Sequence, residues 1–206
     1  MLADQATAPR RPRRLAARLA LALWVPGVSA ILATQMVPHW VPLPAPSRAA
    51  ERPASALGAL LDQHAAEGWQ RVHVLYADCG CSARVLDDLL ANPADGPRED
   101  FVLLVGDAVD DAERTRAAGL PFEVVDAEQL ERRFGIVAAP LLLIFDPARQ
   151  LVYSGGHTDR KRGFALRSES LLEQLKAGEA PADLPAFGCA VSRELQAQLD
   201  PLGLKY

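Results

Sequence analysis

The chain is expected to fold as an α/β protein, a central mixed sheet flanked by helices, preceded by an N-terminal transmembrane or signal segment. Three observations predict this. Nineteen uncharged residues, Leu19 to Val37, follow an arginine cluster. Apolar strands then alternate with helical periodicity, which implies parallel pairing through crossover helices. Finally, two apolar strands flank the short turn Asp146-Pro147-Ala148-Arg149-Gln150 as a hairpin.

The N-terminal segment divides into an address and a tether. Residues 1–18 hold Arg10, Arg11, Arg13, Arg14 and Arg18 against Asp4 alone, and read as a basic cytoplasmic N-terminus. Residues 19–37 as a helix would span about 28 Å, near the roughly 30 Å of a hydrocarbon core. The positive-inside rule places the arginines in the cytoplasm and everything after Val37 across the membrane, the orientation of an uncleaved anchor. A cleaved reading stands beside it: Leu19 to Val25, broken by Pro26-Gly27 and followed by Val28-Ser29-Ala30, resembles a secretory signal. Arg13-Arg14 fits twin-arginine export poorly. Residues 38–56, with Pro38, Pro42, Pro44, Pro46 and Pro53, read as a semi-rigid polyproline spacer reaching up to about 60 Å, with Trp40 at the interface.

The folded domain is expected over residues 57–180, with a C-terminal extension at 181–206. Helical spacing predicts helices at 57–67, 83–91, 110–118, 127–134 and 167–177. Alternation or apolar runs predict strands at 71–77, 101–105, 122–125, 141–145 and 151–154. Val191 to Leu199 forms a short amphipathic stretch. No repeat of fixed period occurs.

Composition narrows the function. Of 22 Lys+Arg and 26 Asp+Glu in the 206 residues, the basic N-terminus takes five and one, so the remainder carries 17 against 25. An acidic domain without a basic, aromatic-studded stripe makes nucleic acid an unlikely partner. Three cysteines cannot form a disulfide framework, and chemistry accounts for them better than stapling. No Ser-His-Asp order, phosphate-cradling glycine loop or zinc-protease signature is present.

The central motif is Asp78-Cys79-Gly80-Cys81-Ser82, where a strand turns into a helix. Helix N-termini stabilise thiolates through unpaired amides and the dipole. Arg84 would add to this effect and Asp78 oppose it. Gly80 permits the bend that a disulfide between residues two apart requires, and a small strained ring is easy to reduce.

The run VLYADCGCSARVL, the Phe134-Gly135-Ile136 step toward Ala139-Pro140, and the strand LLLIFDPARQLVYSGG after Pro140 together resemble the thioredoxin superfamily. The resemblance is to its membrane-anchored bacterial envelope branch, with an extra strand and helix before the proline. It covers Leu57 to Ala177. It implies a cis Ala139-Pro140 bond facing the cysteines, with backbone there exposed to pair with an incoming partner. It also implies that Cys79 attacks and Cys81 resolves. The chain departs from the family in spacing its cysteines by one residue and in carrying Asp78 before the first.

The leading functional expectation is thus a thiol-disulfide oxidoreductase that exchanges disulfides with envelope proteins through Cys79 and Cys81, with Ala139 and Pro140 binding the partner and no cofactor or metal required. Two rivals are a copper or zinc delivery module using Cys79, Cys81 and His157, and a non-catalytic adaptor. Cys189 reads either as a buried apolar residue holding the tail or as a third redox thiol. His73 falls where relatives keep a buried acid for proton transfer, but a solvent-facing strand histidine is the plainer expectation. His157 in its loop, Glu128 to Arg133 and Arg160 to Arg162 are expected at the surface.

Overall fold

The computed structural model describes residues 11–36, 41–64, 68–92, 99–161, 165–201, 203 and 206. Asp4, Arg10, Val37, Pro38, Trp40, Glu67 and Arg162 of the sequence reading lie outside them, as do the side chains of Arg11, Arg13, Arg14 and Gln35. The chain divides into two units, residues 1–41 and 42–206.

In the first unit, helix α1 (Arg11–Met36) runs through Pro26, so Pro26-Gly27 does not break it. Its stretch Leu15–Ala33 is long and apolar enough to cross a membrane, and none of that stretch is buried. Leu19, Leu23, Trp24 and Ile31 all stand exposed.

The second unit begins with α2 (Glu51–Gln63). This corrects the spacer and the domain boundary at residue 57. Pro53 sits in the first turn of α2, where amides lack helical partners and a missing N–H costs nothing. Leu57, Leu60 and Leu61 form the buried face of α2. Upstream of it, Leu43 is buried and its amide donates to the Ala186 carbonyl at 2.7 Å, while Ser154 Oγ donates to the Pro46 carbonyl at 2.6 Å. Residues 42–56 belong to the folded unit.

There follow β1 (Gln70–Tyr76), α3 (Gly80–Ala91), β2 (Asp100–Val105), α4 (Val109–Ala117) and β3 (Phe122–Val125). Next is α5 (Ala127–Gln129), which opens on a capping box between Asp126 and Gln129 and continues as a π-helical turn over Leu130–Phe134. Gly135, at φ 67°, ends it in the left-handed region. The two-residue β4 (Ala138–Ala139) precedes β5 (Leu141–Phe145), β6 (Leu151–Gly155), α6 (Ser168–Lys176), β7 (Cys189–Ala190) and α7 (Arg193–Leu199).

The main sheet has the order β3-β2-β1-β5-β6. Strands β1, β2 and β3 are parallel, while β5 and β6 are antiparallel. This five-stranded mixed sheet between helix layers is a thioredoxin-like fold, as the sequence predicts. Alternate residues serve opposite faces. Val72, Val74, Phe101, Leu103 and Leu143 join α2 and the π turn in one core. On the other face Leu75, Val102 and Leu104 pack against α3 and α4, while Leu142, Ile144 and Tyr153 pack against α6.

The C-terminal segment is not an appendage. Strand β7 pairs antiparallel with β4, Val191 and Ser192 donate their amides to the Val137 carbonyl, and Ala186 and Val191 enter the main core. The extension at 181–206 is thus part of the domain. Leu43→Ala removes a buried contact between its two ends and should lower stability by about 2 kcal/mol in chemical denaturation. A free spacer at 42–56 would leave stability unchanged.

Candidate functional site

Strand β1 ends at Tyr76, and two turn residues carry the chain to Cys79 at the N-cap of α3. The Cys79 amide donates to the Tyr76 carbonyl at 3.0 Å, and the Tyr76 amide donates to Ser82 Oγ at 3.0 Å. The strand-helix junction is thereby closed. Cys79 is only 1% exposed, its Sγ lying 3.9 Å from the Ala139 carbonyl oxygen. The Ala139-Pro140 bond is cis. Gly80 keeps negative φ and opens α3 in ordinary helical conformation, so the bend expected of it is not present in this thiol state.

Cys81 is half-buried and lines a groove of about 340 Å³ together with Arg84, Pro140, His157, Leu166 and Phe187. Arg84 Nη2 lies 3.8 Å from Cys81 Sγ, so the guanidinium serves Cys81 and not Cys79. The expectation of open backbone at Ala139 is corrected. Ala139 is fully buried, and in the sheet register its partner is Cys189 of β7.

All three cysteines are thiols with no disulfide between them. Cys79 lies between Cys81, two residues on in α3, and Cys189, which the strand register sets opposite Ala139. Contact with Cys189 pushes the Cys79 pKa up, Cys81 pulls it down, burial raises it again, and the Ser82 amide at the helix start opposes. The net direction is upward. Cys81 is pushed far higher by its hydrogen bond to Cys79 and by burial, with Arg84 opposing. Tyr76, at the rim, is raised by burial and by Asp78, with smaller contributions from Cys189 and Cys79. These raised values withdraw the thiolate stabilisation that a helix N-terminus would otherwise supply.

Beneath the groove lies a buried polar network. His73 is fully buried, which corrects the solvent-facing expectation. Its Nδ1 is 3.1 Å from His157 Nε2, and its Nε2 is 2.9 Å from Asp100 Oδ1. Asp100 also accepts from Arg71, which bonds Glu169 of α6 as well. Burial pushes the Asp100 pKa up, but His73 and Arg71 outweigh it and hold the carboxylate below its ordinary range. His157, equally buried, is held well below the ordinary imidazole value by burial and by His73. Its Nδ1 has no hydrogen-bond partner among the described residues.

The expected metal trio is not assembled. His157 turns its Nε2 toward His73, and among the described residues no group of three or more His, Cys, Asp or Glu is gathered to hold a metal ion. The charged run Glu128 to Arg133 does lie largely at the surface, with an Arg132–Glu128 pair at 2.9 Å.

The sequence reading missed the Asp100–Arg71–Glu169 connection, and it left open whether Cys189 holds the tail or stands beside Cys79 and Cys81. Charged residues at the starts of two strands, Asp100 in β2 and Arg71 in β1, were the available signal for the first. For the second there was only the odd cysteine.

No protein-family profile and no curated protein matches the chain. Among solved structures it is similar to a hypothetical protein from Sinorhizobium meliloti 1021, with a TM-score of 0.49 and 18% identity over 64% of this chain and 82% of that one. It is likewise similar to an uncharacterized conserved protein from Geobacillus kaustophilus, with a TM-score of 0.47 and 19% identity over 61% and 77%. Neither likeness bears on chemistry.

The neutral buried imidazole gives a pH signature. Its folded pKa is depressed, so the unfolded chain takes up this proton first. The stability it protects is therefore present above about pH 6.5 and lost as pH falls below it, by at most about 1.4 kcal/mol per pH unit. Denaturation at pH 5 and pH 7.5 should show that loss, and His157→Gln should remove most of it. An equal loss in the variant would assign acid sensitivity elsewhere. Asp100 acts in a lower window, below about pH 4.

Proposed function

We propose that this protein is a thiol-disulfide exchange protein of a bacterial envelope, with Cys79 and Cys81 as the exchanging pair. The observation that carries this reading is the Cys79 sulfur at the head of α3, against the carbonyl that precedes a cis proline and two residues before a second thiol that opens onto a groove. Burial reverses the roles that the resemblance implies. Cys81 is the sulfur a partner can reach, and Cys79 resolves from behind it.

In one direction, a Cys81 thiolate attacks a partner disulfide, forms a mixed disulfide and releases one partner thiolate. Cys79, deprotonated, then attacks Cys81 Sγ, closes Cys79–Cys81 and releases the second partner thiol. The two protons lost by the cysteines go to the partner. In reverse, a partner dithiol attacks Cys81 of the oxidised protein. His157 faces the groove and leads inward through His73 to Asp100, which gives a polar path for a proton beneath the pair.

Reduced protein exposed to iodoacetamide should therefore react at Cys81 before Cys79, at a rate that still climbs above the ordinary thiol value of 9.0. A plateau below about pH 8.5 would contradict the assigned environment. In glutathione buffers the pair should behave as a reversible two-electron couple. Cys79→Ser should leave partners trapped on Cys81, whereas Cys81→Ser should trap few. A pair that stays reduced throughout the accessible range would sink the exchange reading.

The anchor reading places α1 in an inner membrane, its arginines in the cytoplasm and residues 42–206 in the periplasm. Partners are then envelope proteins bearing dithiols or disulfides. A C-terminal alkaline phosphatase fusion should be active and a fluorescent protein that matures only in the cytoplasm dark. The opposite pattern would refute the orientation.

A further inference from the structure

The chain's third cysteine lies at the backbone edge of β4, whose Ala139 carbonyl faces Cys79. Strand β4 offers only Ala138 and Ala139, and β7 fills that edge with Ala190 and Cys189, so that Cys189 stands opposite Ala139. The carbonyl oxygen of Ala139 lies 3.9 Å from Cys79 Sγ on this side. Gly188 makes the approach possible, because a Cβ there would collide with the Ala139 carbonyl and with Pro140 Cδ. The segment is fixed from behind as well: the Ala190 amide donates to Tyr206 Oη at 2.9 Å, and the Gln196 amide side chain donates to the Ala190 carbonyl at 3.2 Å. Cys189 is thus presented to Cys79 in extended backbone, in the place where the sequence led us to expect the backbone of a partner.

We propose that Cys189 is a third redox residue of the site, taking the disulfide from Cys79–Cys81 onto Cys79–Cys189 and returning Cys81 to the groove as a free thiol. The inference rests on the exchange reading above and extends it.

The step balances without another reactant. A partner disulfide oxidises Cys81 and Cys79 as described. The Cys189 thiolate then attacks Cys79 Sγ, the Cys79–Cys189 bond forms, the Cys79–Cys81 bond breaks, and Cys81 leaves as a thiolate that takes up the proton Cys189 gave. No electrons are gained or lost in this transfer, which moves the oxidised bond from the α3 side of Cys79 to the C-terminal segment. Cys79 lies between Cys81 on α3 and Cys189 on β7, so it is the shared member of either pair. Cys81 regains its thiol in the groove, and the half-buried Cys189 carries the disulfide toward a second dithiol partner.

The test uses the reduced full-length chain in detergent, treated with oxidised glutathione, quenched with iodoacetamide and digested with trypsin without reduction. Cleavage at Arg71, Arg84, Lys176 and Arg193 separates peptide 72–84, with Cys79 and Cys81, from peptide 177–193, with Cys189. The expected product is the two peptides joined by a disulfide, with the alkyl group on Cys81. In Cys189→Ser, and equally in Cys189→Ala, that species should be lost and replaced by peptide 72–84 closed on itself. Wild-type protein that yields the closed 72–84 peptide and alkylated Cys189 would overturn the assignment while leaving exchange intact. Absence of any disulfide in both wild type and Cys189→Ser would overturn the exchange reading and this one together.

Discussion

Strand β1 pairs differently on its two sides, and the site follows from that asymmetry. On one side it runs parallel to β2, with Tyr76 opposite Val105. Parallel neighbours require a crossover, so the chain must leave the top of β1 and return over the sheet as α3. That departure puts Cys79 and Cys81 at a helix N-terminus. On the other side β1 is antiparallel to β5, with Val74 opposite Leu141. The start of β5 therefore lies beside the end of β1, and Pro140 comes to the cysteines. A sheet parallel throughout would put the start of β5 at the far end of β1.

The same strand carries the structure's main electrostatic cost. Arg71 and His73 point to the face that α3, α4 and α6 cover, and Asp100 joins them from β2. Burying such groups costs several kcal/mol each unless every charge is paired. Here each ionised group has a partner of opposite sign: Asp100 has Arg71, and Arg71 also reaches Glu169 on α6. The polar seam lies between the apolar cluster under α3 and α4 and the one under α6. An apolar seam of equal volume would be cheaper. The network persists where it connects the groove, through His157, to an ionised carboxylate.

How far this was legible in the sequence depended on the range of the contacts involved. Strands β1, β2, β3, β5 and β6 and the helices after them announced themselves through local periodicity, because each buries its own regular face. The start of α2 did not. Pro53 looks like a spacer residue, and only the position in the first turn makes it helical. His73 was misjudged for a different reason. Alternation suggests a wet face, but β1 is central and helices cover both its faces, so every position from Gln70 to Leu75 is buried. The docking of Leu43 on Ala186 and of Cys189 on Ala139 joins segments far apart in sequence, and two-residue strands carry no period to read. The cysteine motif and the proline were visible. The residue occupying the edge between them was not.

That occupied edge shapes what can approach the sulfurs. A bare two-residue strand beside a reactive cysteine would accept any extended peptide through its main chain, with little regard for side chains. With β7 in place, the hydrogen bonds of Ala138 and Ala139 are spent within the chain. A partner is left with the groove between α3 and Pro140, where Arg84 and Lys161 lie among Asp87 and Asp88. On the exchange reading proposed above, recognition there would depend on charge and shape more than on backbone pairing, and the choice of partner would be more selective. The arrangement also divides the three thiols by access. One is in the groove, one is on the covering segment, and the sulfur between them is the one that solvent barely reaches. Any disulfide that Cys79 makes is therefore intramolecular by preference, since Cys81 and Cys189 flank it while a third sulfur must displace α3 or β7 to arrive.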